Sequence, residues 1–208
     1  MFTGLIEELG TLKRKVPRAN GLALEIEATA VLDGTKIGDS IAVDGICLTV
    51  TAMTKSGFTA DAVHETIRAT SLQTLRVGTA VQLERAMPAN GRFGGHFVSG
   101  HIDGTARFLS RRPDGEAMEY RFEAGDWSKY CIPKGSIAIN GTSLTLQHVG
   151  NDAVTISLIP HSRQVTTFDC LQTGALVNIE CDLMAKHLYH FTQKDAKTDW
   201  SAFLGGEV

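Results

Sequence analysis

No apolar run in this sequence approaches the roughly 18 residues that a membrane-crossing helix requires. No helical membrane span is therefore expected. Nor is there a basic excess: 20 Lys and Arg stand against 23 Asp and Glu, a net charge of −3. That balance argues against a nucleic-acid surface. Cysteine is sparse, and the four present (Cys47, Cys131, Cys170, Cys181) include no C-x-x-C pair. This excludes a zinc knuckle and a dithiol redox motif. Scattered thiols fit a reducing cytoplasm, with Cys131, Cys170 and Cys181 read as plain packing residues. Also missing are a phosphate loop, H-E-x-x-H, G-x-S-x-G and a dinucleotide glycine fingerprint. The opening "MFTGLIEELG" has neither the basic segment nor the apolar core of a secretory signal.

What the chain does have is a repeat. "GDSIAVDGICLTV" from Gly38 returns as "KGSIAINGTSLTL" from Lys134, at an offset of 96. "TGLIE" at Thr3–Glu7 returns as "SGHID" at Ser99–Asp103, and "VGTAVQLE" at Val77–Glu84 as "TGALVNIE" at Thr173–Glu180. No insertion interrupts the register. Two copies of one unit are expected, over 1–96 and 97–190, followed by a tail at 191–208. Since the copy-two match begins at Phe97, copy one needs its residues from Met1 or Phe2 onward as structure, which leaves none for a targeting peptide.

Each copy reads as β. "SIAVDGICLTV" alternates, is rich in β-branched residues and holds a D-G turn signal. "VTISLIP", "AVQLE" and "LVNIE" are short strands between turn residues, and "HETIRATSLQTL" supplies a short helical turn. The fold class expected is all-β: two tandem homologous Greek-key barrels. A C-terminal amphipathic helix follows, from the helical spacing of Leu183, Met184, His187, Leu188 and Phe191. Pattern alone leaves two roles open for it, capping its own chain or joining chains together.

In "CLTV", Cys47 and Thr49 share one strand face while Leu48 and Val50 share the other. Ser143 and Thr145 repeat that polar face, with Leu144 and Leu146 opposite. The copies also differ. His101 stands where copy one has Leu5, Lys134 where it has Gly38, and His161 where it has Glu65. His101 is a candidate general acid or base. His96 and His101 in "GGHFVSGH" are oddly spaced, so an extended backbone turns them to opposite faces and makes them poor metal co-ligands. From the residues alone, the chain is a duplicated barrel with two similar, non-identical small-molecule sites.

"MFTG", "GGHFVSGHIDG", "KGSIAINGTSLT" and the doubled G-x-x-L-T block resemble the riboflavin synthase family, α-chain type, from Met1 to about His190. The resemblance implies dismutation of two 6,7-dimethyl-8-ribityllumazine molecules, without metal or redox cofactor. One donates a four-carbon unit to the other, giving riboflavin and 5-amino-6-(ribitylamino)uracil. It implies a homotrimer held by the C-terminal helix, active sites between neighbouring chains, and lumazine synthase as a protein partner. Carried onto this sequence, an N-barrel pocket comprises Gly4, Leu5, Ile6, Cys47, Leu48, Thr49, Asp61, Ala62, Val63, His64, Glu65 and Thr66, bordered by Phe2 and Ser40. A C-barrel pocket comprises Gly100, His101, Ile102, Lys134, Ser143, Leu144, Thr145, Ile159, Pro160, His161, Ser162, Arg163 and Gln164. The catalytic candidates are His101, Ser143, Thr145, Cys47 and Asp182. Asn140 departs from the family's Asp, so it receives no catalytic role. The alternative is a non-catalytic lumazine- or flavin-binding relative. A flavin-dependent reductase barrel would need a nucleotide-binding partner domain, for which the sequence has no segment.

Overall fold

The computed structural model describes residues 1–195. The reading of the tail from 196 onward lies outside the described residues. The first half forms β1 (Glu8–Arg18), β2 (Gly21–Glu27), β3 (Ser40–Val43), β4 (Ile46–Thr54), β5 (Gly57–Val63) and β6 (Ala80–Arg85). They close into an antiparallel barrel in the order β1-β2-β5-β4-β3-β6. The second half repeats this with β7 (Gly104–Asp114), β8 (Ala117–Glu123), β9 (Ser136–Ile139), β10 (Thr142–Val149), β11 (Ala153–Leu158) and β12 (Leu176–Cys181). A helical turn follows β5 as α1 (His64–Ala69) and β11 as α2 (Pro160–Gln164). Even the strand irregularities recur at the same offset, between Val50 and Ala52 and between Leu146 and His148. Among the described residues no helix is long and apolar enough to cross a membrane.

Alternation puts Ile41, Val43, Leu48 and Val50 inside the first barrel, and Ile137, Ile139 and Leu146 inside the second. The second core is aromatic where the first is aliphatic: Phe108, Tyr120, Phe122 and Phe168 pack with centroids 5.7–6.3 Å apart. Tyr120 also donates its hydroxyl to Asp169.

The D-G signal and its N-G counterpart make two-residue hairpin turns. Asp44 and Asn140 take φ of 44° and 46°, and Gly45 and Gly141 take 80° and 81°. The two turns press against each other: a Cβ on Gly45 would lie 2.6 Å from the Gly141 nitrogen. The seam is then tied reciprocally. Gln82 donates to the Asn140 carbonyl and Thr142 Oγ1, and accepts from the Thr167 amide. Its counterpart Asn178 donates to the Asp44 carbonyl and accepts from the Ser71 amide.

The C-terminal helix is α3 (Leu183–Asp195). One side of it stands on its own barrel. Lys186 Nζ is 2.9 Å from both Asp103 carboxylate oxygens, and Tyr189 meets Tyr130 edge-on at 5.1 Å. The expected apolar stripe is split. Leu183 is half-buried, whereas Met184, Leu188 and Phe191 remain 57–63% exposed.

Candidate functional site

The segment before each barrel crosses to the other half. Phe2 bridges to Val98, with its amide donating to the Val98 carbonyl at 2.7 Å and the Val98 amide returning a bond at 3.2 Å. Gly4 then accepts from the Ser143 amide (2.8 Å), and Gly100 from the Cys47 amide (3.0 Å). Each strap is gripped by a buried glutamate of its own barrel. Glu84 accepts from the Thr3 amide and hydroxyl and the Gly4 amide at 2.6–2.9 Å. Glu180 accepts the same three bonds from Ser99 and Gly100, at 2.6–2.9 Å.

This exchanges part of the grouping that the family resemblance implied. Gly4 lies against Ser143 and not Cys47, while Gly100 lies against Cys47 and Ile102 packs on the first barrel's core. The reason is the crossing at Phe2–Val98, which delivers each strap to its neighbour. One polar face therefore joins Cys47 and Thr49 to Gly100, His101 and Ile102. The other joins Ser143 and Thr145 to Gly4, Leu5 and Ile6.

The polar sides of "CLTV" and "SLTL" point outward: Cys47 and Ser143 are half-buried, and Thr49 and Thr145 are exposed. Ser40 is half-buried beside Thr49, its register partner. Asp61, Val63, His64, Glu65, His101, Ile159, Pro160, His161 and Gln164 are exposed, and Thr66 and Ser162 half-buried. Four residues of the expected pockets turn their side chains inward and can offer a ligand only their backbone. Phe2 (0% exposed), Leu48 (3%) and Ala62 (2%) have no side-chain surface left for a ligand. Leu144, although only half-buried, packs on the second barrel's core. Phe2 instead supports Cys47 from beneath, within a small cluster at the seam. Arg163 is committed to Asp169 through Nε and Nη2 at 2.9–3.1 Å, so it is not a free cation. Asp182 caps α3, accepting from the Met184 amide at 2.8 Å.

Lys134 takes φ of 68°, where its counterpart Gly38 takes 96°. Both amides donate to the facing strand, to Leu146 and Val50 respectively. A lysine held in a glycine conformation costs about 1 kcal/mol, and such strain gathers at functional sites. Lys134→Gly is expected to leave stability level, because relief of about 1 kcal/mol of strain offsets the roughly 0.5–1 kcal/mol entropic cost of glycine. Turnover should fall with it. Paired thermal unfolding and rate measurements check this, and a loss of stability without a loss of rate would contradict it.

One residue that the sequence reading discounted is in the second face. His96 Nδ1 lies 2.7 Å from Ser143 Oγ, and its Nε2 is buried without a partner among the described residues. Burial holds the imidazole below its ordinary pKa, with Asp182 opposing this. A neutral His96 can accept the Ser143 hydroxyl proton, as a base beside a nucleophile does. Cys47 has no such side-chain partner among the described residues, so the two faces differ chemically. Odd spacing from His101 was the wrong signal, since it speaks of metal ligation and not of a partner 47 residues away.

Two clefts border this region. One, of about 510 Å³, is lined by Thr3, Leu5, Ser40, Glu84 and Arg85 among others. The second, of about 580 Å³, runs along the seam over Asp44 and Asn140. Cys47, Thr49, Ser143, Thr145 and His101 line neither, so the candidate groups sit on open faces of the single chain.

The lumazine binding domain family matches twice, at residues 3–86 and 99–182. Riboflavin synthase of Bacillus subtilis (strain 168) is 49% identical over 195 residues, covering 93% of this chain and 91% of the relative. Riboflavin synthase of Schizosaccharomyces pombe is 41% identical, covering 90% and 91%. Among solved structures, LumP complexed with 6,7-dimethyl-8-(1'-D-ribityl) lumazine superimposes with a TM-score of 0.78 at 22% identity, covering 86% of this chain and 98% of that one. A doubled domain in the same register and relatives matched almost end to end establish that the chain belongs to the riboflavin synthase family.

Proposed function

We propose that this chain converts two molecules of 6,7-dimethyl-8-ribityllumazine to riboflavin and 5-amino-6-(ribitylamino)uracil, one molecule passing a four-carbon unit to the other. The observation that carries the reading is the pair of equivalent but unequal polar faces. Cys47 and Thr49 are closed by the strap with His101, and Ser143 and Thr145 by the strap with Gly4. A reaction between two copies of one substrate needs two similar seats. A reaction in which the copies play different parts needs the seats to differ.

In this proposal each face seats one lumazine, and much of the rate comes from holding two planar molecules in register. Neutral His96 takes the proton of Ser143, or of a water in its place, as a nucleophile adds at C7 of the lumazine on that face. His101 exchanges protons at the acidic C7 methyl, and Lys134 stabilises negative charge as it develops. Cys47 contacts the other lumazine. The exposed Met184, Leu188 and Phe191 of α3 are the proposed contact between chains of a homotrimer, bringing unlike faces of neighbours together. The proposed compartment is the cytoplasm, and lumazine synthase the proposed protein partner.

Incubating the purified chain with the lumazine tests this. The expected result is riboflavin fluorescence with the diaminouracil product in equal amount, from protein whose solution mass is that of three chains. His96→Ala and His101→Ala should each lower turnover by about 100-fold or more. Tight lumazine binding with no riboflavin formed would overturn the proposal in favour of a non-catalytic binding protein.

A further inference from the structure

Two thiols at the foot of α3 take no part in the proposed reaction. Cys181 ends β12 and is 1% exposed; Cys131 follows the turn Asp126–Tyr130 and is half-buried. Their sulfurs lie 3.9 Å apart although 50 residues separate them in the chain. Sequence spacing gave no hint of this, because the contact is made by the closing of the second barrel.

The pair joins the two supports on which α3 stands. Tyr130, next to Cys131, is the ring that meets Tyr189 of the helix. On the other side, Asp103 accepts from the Cys181 amide at 2.8 Å and from Lys186 of the helix at 2.9 Å. Cys181 also precedes Asp182, the residue that caps α3. We propose that Cys131 and Cys181 form a reversible disulfide when the protein meets a disulfide oxidant, and that the bond locks the seat of α3.

Sulfurs at this separation need only close to about 2.05 Å. Cys131 lies outside any strand, at the end of a turn, and can supply the movement. It is also the thiol that solvent reaches. The contact with the Cys181 sulfur lowers the Cys131 pKa against the opposing effects of burial and the Asp103 carboxylate. With glutathione disulfide, the Cys131 thiolate attacks one sulfur and expels a glutathione thiolate, leaving a mixed disulfide. Cys181 then attacks Cys131 Sγ and expels the second glutathione, its proton passing to the departing thiolate. Two protein thiols are oxidised to one disulfide, and one glutathione disulfide is reduced to two glutathiones. Cys47 and Cys170 have no thiol within reach among the described residues, and stop at the mixed disulfide.

The test exposes the full chain to glutathione disulfide, alkylates the remaining thiols and maps the peptides by mass spectrometry. The expected product is a Cys131–Cys181 cross-link that dithiothreitol reverses, with a Tm about 4–10 °C higher and slower amide exchange along α3. Cys131→Ser and Cys181→Ser should each abolish the cross-link, the latter leaving Cys131 glutathionylated, and Cys170→Ser should spare it. Recovery of Cys131 as a mixed disulfide with Cys181 still free in the unaltered chain would overturn the proposal. A cross-link that leaves α3 exchange unchanged would overturn the lock.

Discussion

Gly100→Ala is expected to lower turnover by about 100-fold or more, the scale of a reacting group displaced by about 1 Å. Gly100 has φ of 81°, and an added Cβ would stand 2.5 Å from Cys47 Cβ and 3.0 Å from the Cys47 nitrogen. The strap cannot retreat, because its amide is held by Glu180 at 2.9 Å and its carbonyl by Cys47 at 3.0 Å. The displacement falls on Cys47 and on His101, the next residue. Lumazine binding at the first face should weaken while the second barrel keeps its cooperative unfolding. Gly115→Ala is the control. Gly115 also has positive φ, 61°, but nothing lies within 4 Å of an added Cβ. It should lose about 1 kcal/mol of stability and no activity. Equal rates for the two variants, measured beside lumazine titrations, would refute the role given to the Gly100 strap.

Asp44→Asn is expected to stabilise the protein above neutral pH by up to about 4 kcal/mol, and to flatten its pH dependence below neutrality. Asp44 is buried in the seam, and that burial pushes its carboxyl up to about 7 from an ordinary 3.8, against the lowering effect of the Gln82 amide bond. The folded state therefore keeps the proton from about pH 4 to about pH 7 while the unfolded state has released it. Stability from this group is complete below the unfolded value, declines as pH rises across that window, and is lost above it. The second copy shows that an amide fits. Asn140 occupies the equivalent turn with φ of 46° against 44°, and its Oδ1 accepts from the Asn178 amide at 2.7 Å as Asp44 Oδ1 accepts from Gln82 at 2.9 Å. Chemical denaturation at pH 5 and pH 8 should give the parent a large difference and Asp44→Asn a small one. The same slope in both would show that Asp44 ionises without cost. Asn140 is thus a seam residue, its side chain bonded to the Asn178 amide.

Much of the fold was legible because strands advertise themselves. Alternation in "SIAVDGICLTV" fixed both the strand and the outward face of Cys47 and Thr49, and its return at Lys134 did the same for Ser143 and Thr145. The straps were not legible. Alternation says which side of a strand a residue faces, but not which barrel the next segment will visit, so Gly4 and Gly100 were grouped with the wrong faces. His96 was missed for the same reason, since its partnership with Ser143 exists only once a strap has crossed. Phe2, Leu48 and Ala62 show the opposite limit. A short stretch copied whole from a family motif includes the inward residues that hold the outward ones in place. Nothing in "PHSRQ" reveals that Arg163 pairs with Asp169 across the turn.

The crossing of the straps also sets an order of events during synthesis. The first barrel has all six of its strands once Arg85 has left the ribosome, yet its Cys47 face stays open until Gly100 follows. The strap at Gly4, made almost first, can be gripped by Glu84 but has no polar face to close until Ser143 appears. Contacts of such long sequence separation are late and slow. A nascent chain can therefore hold a folded barrel and no competent site, and the two faces become available to substrate only after most of the second barrel has been made.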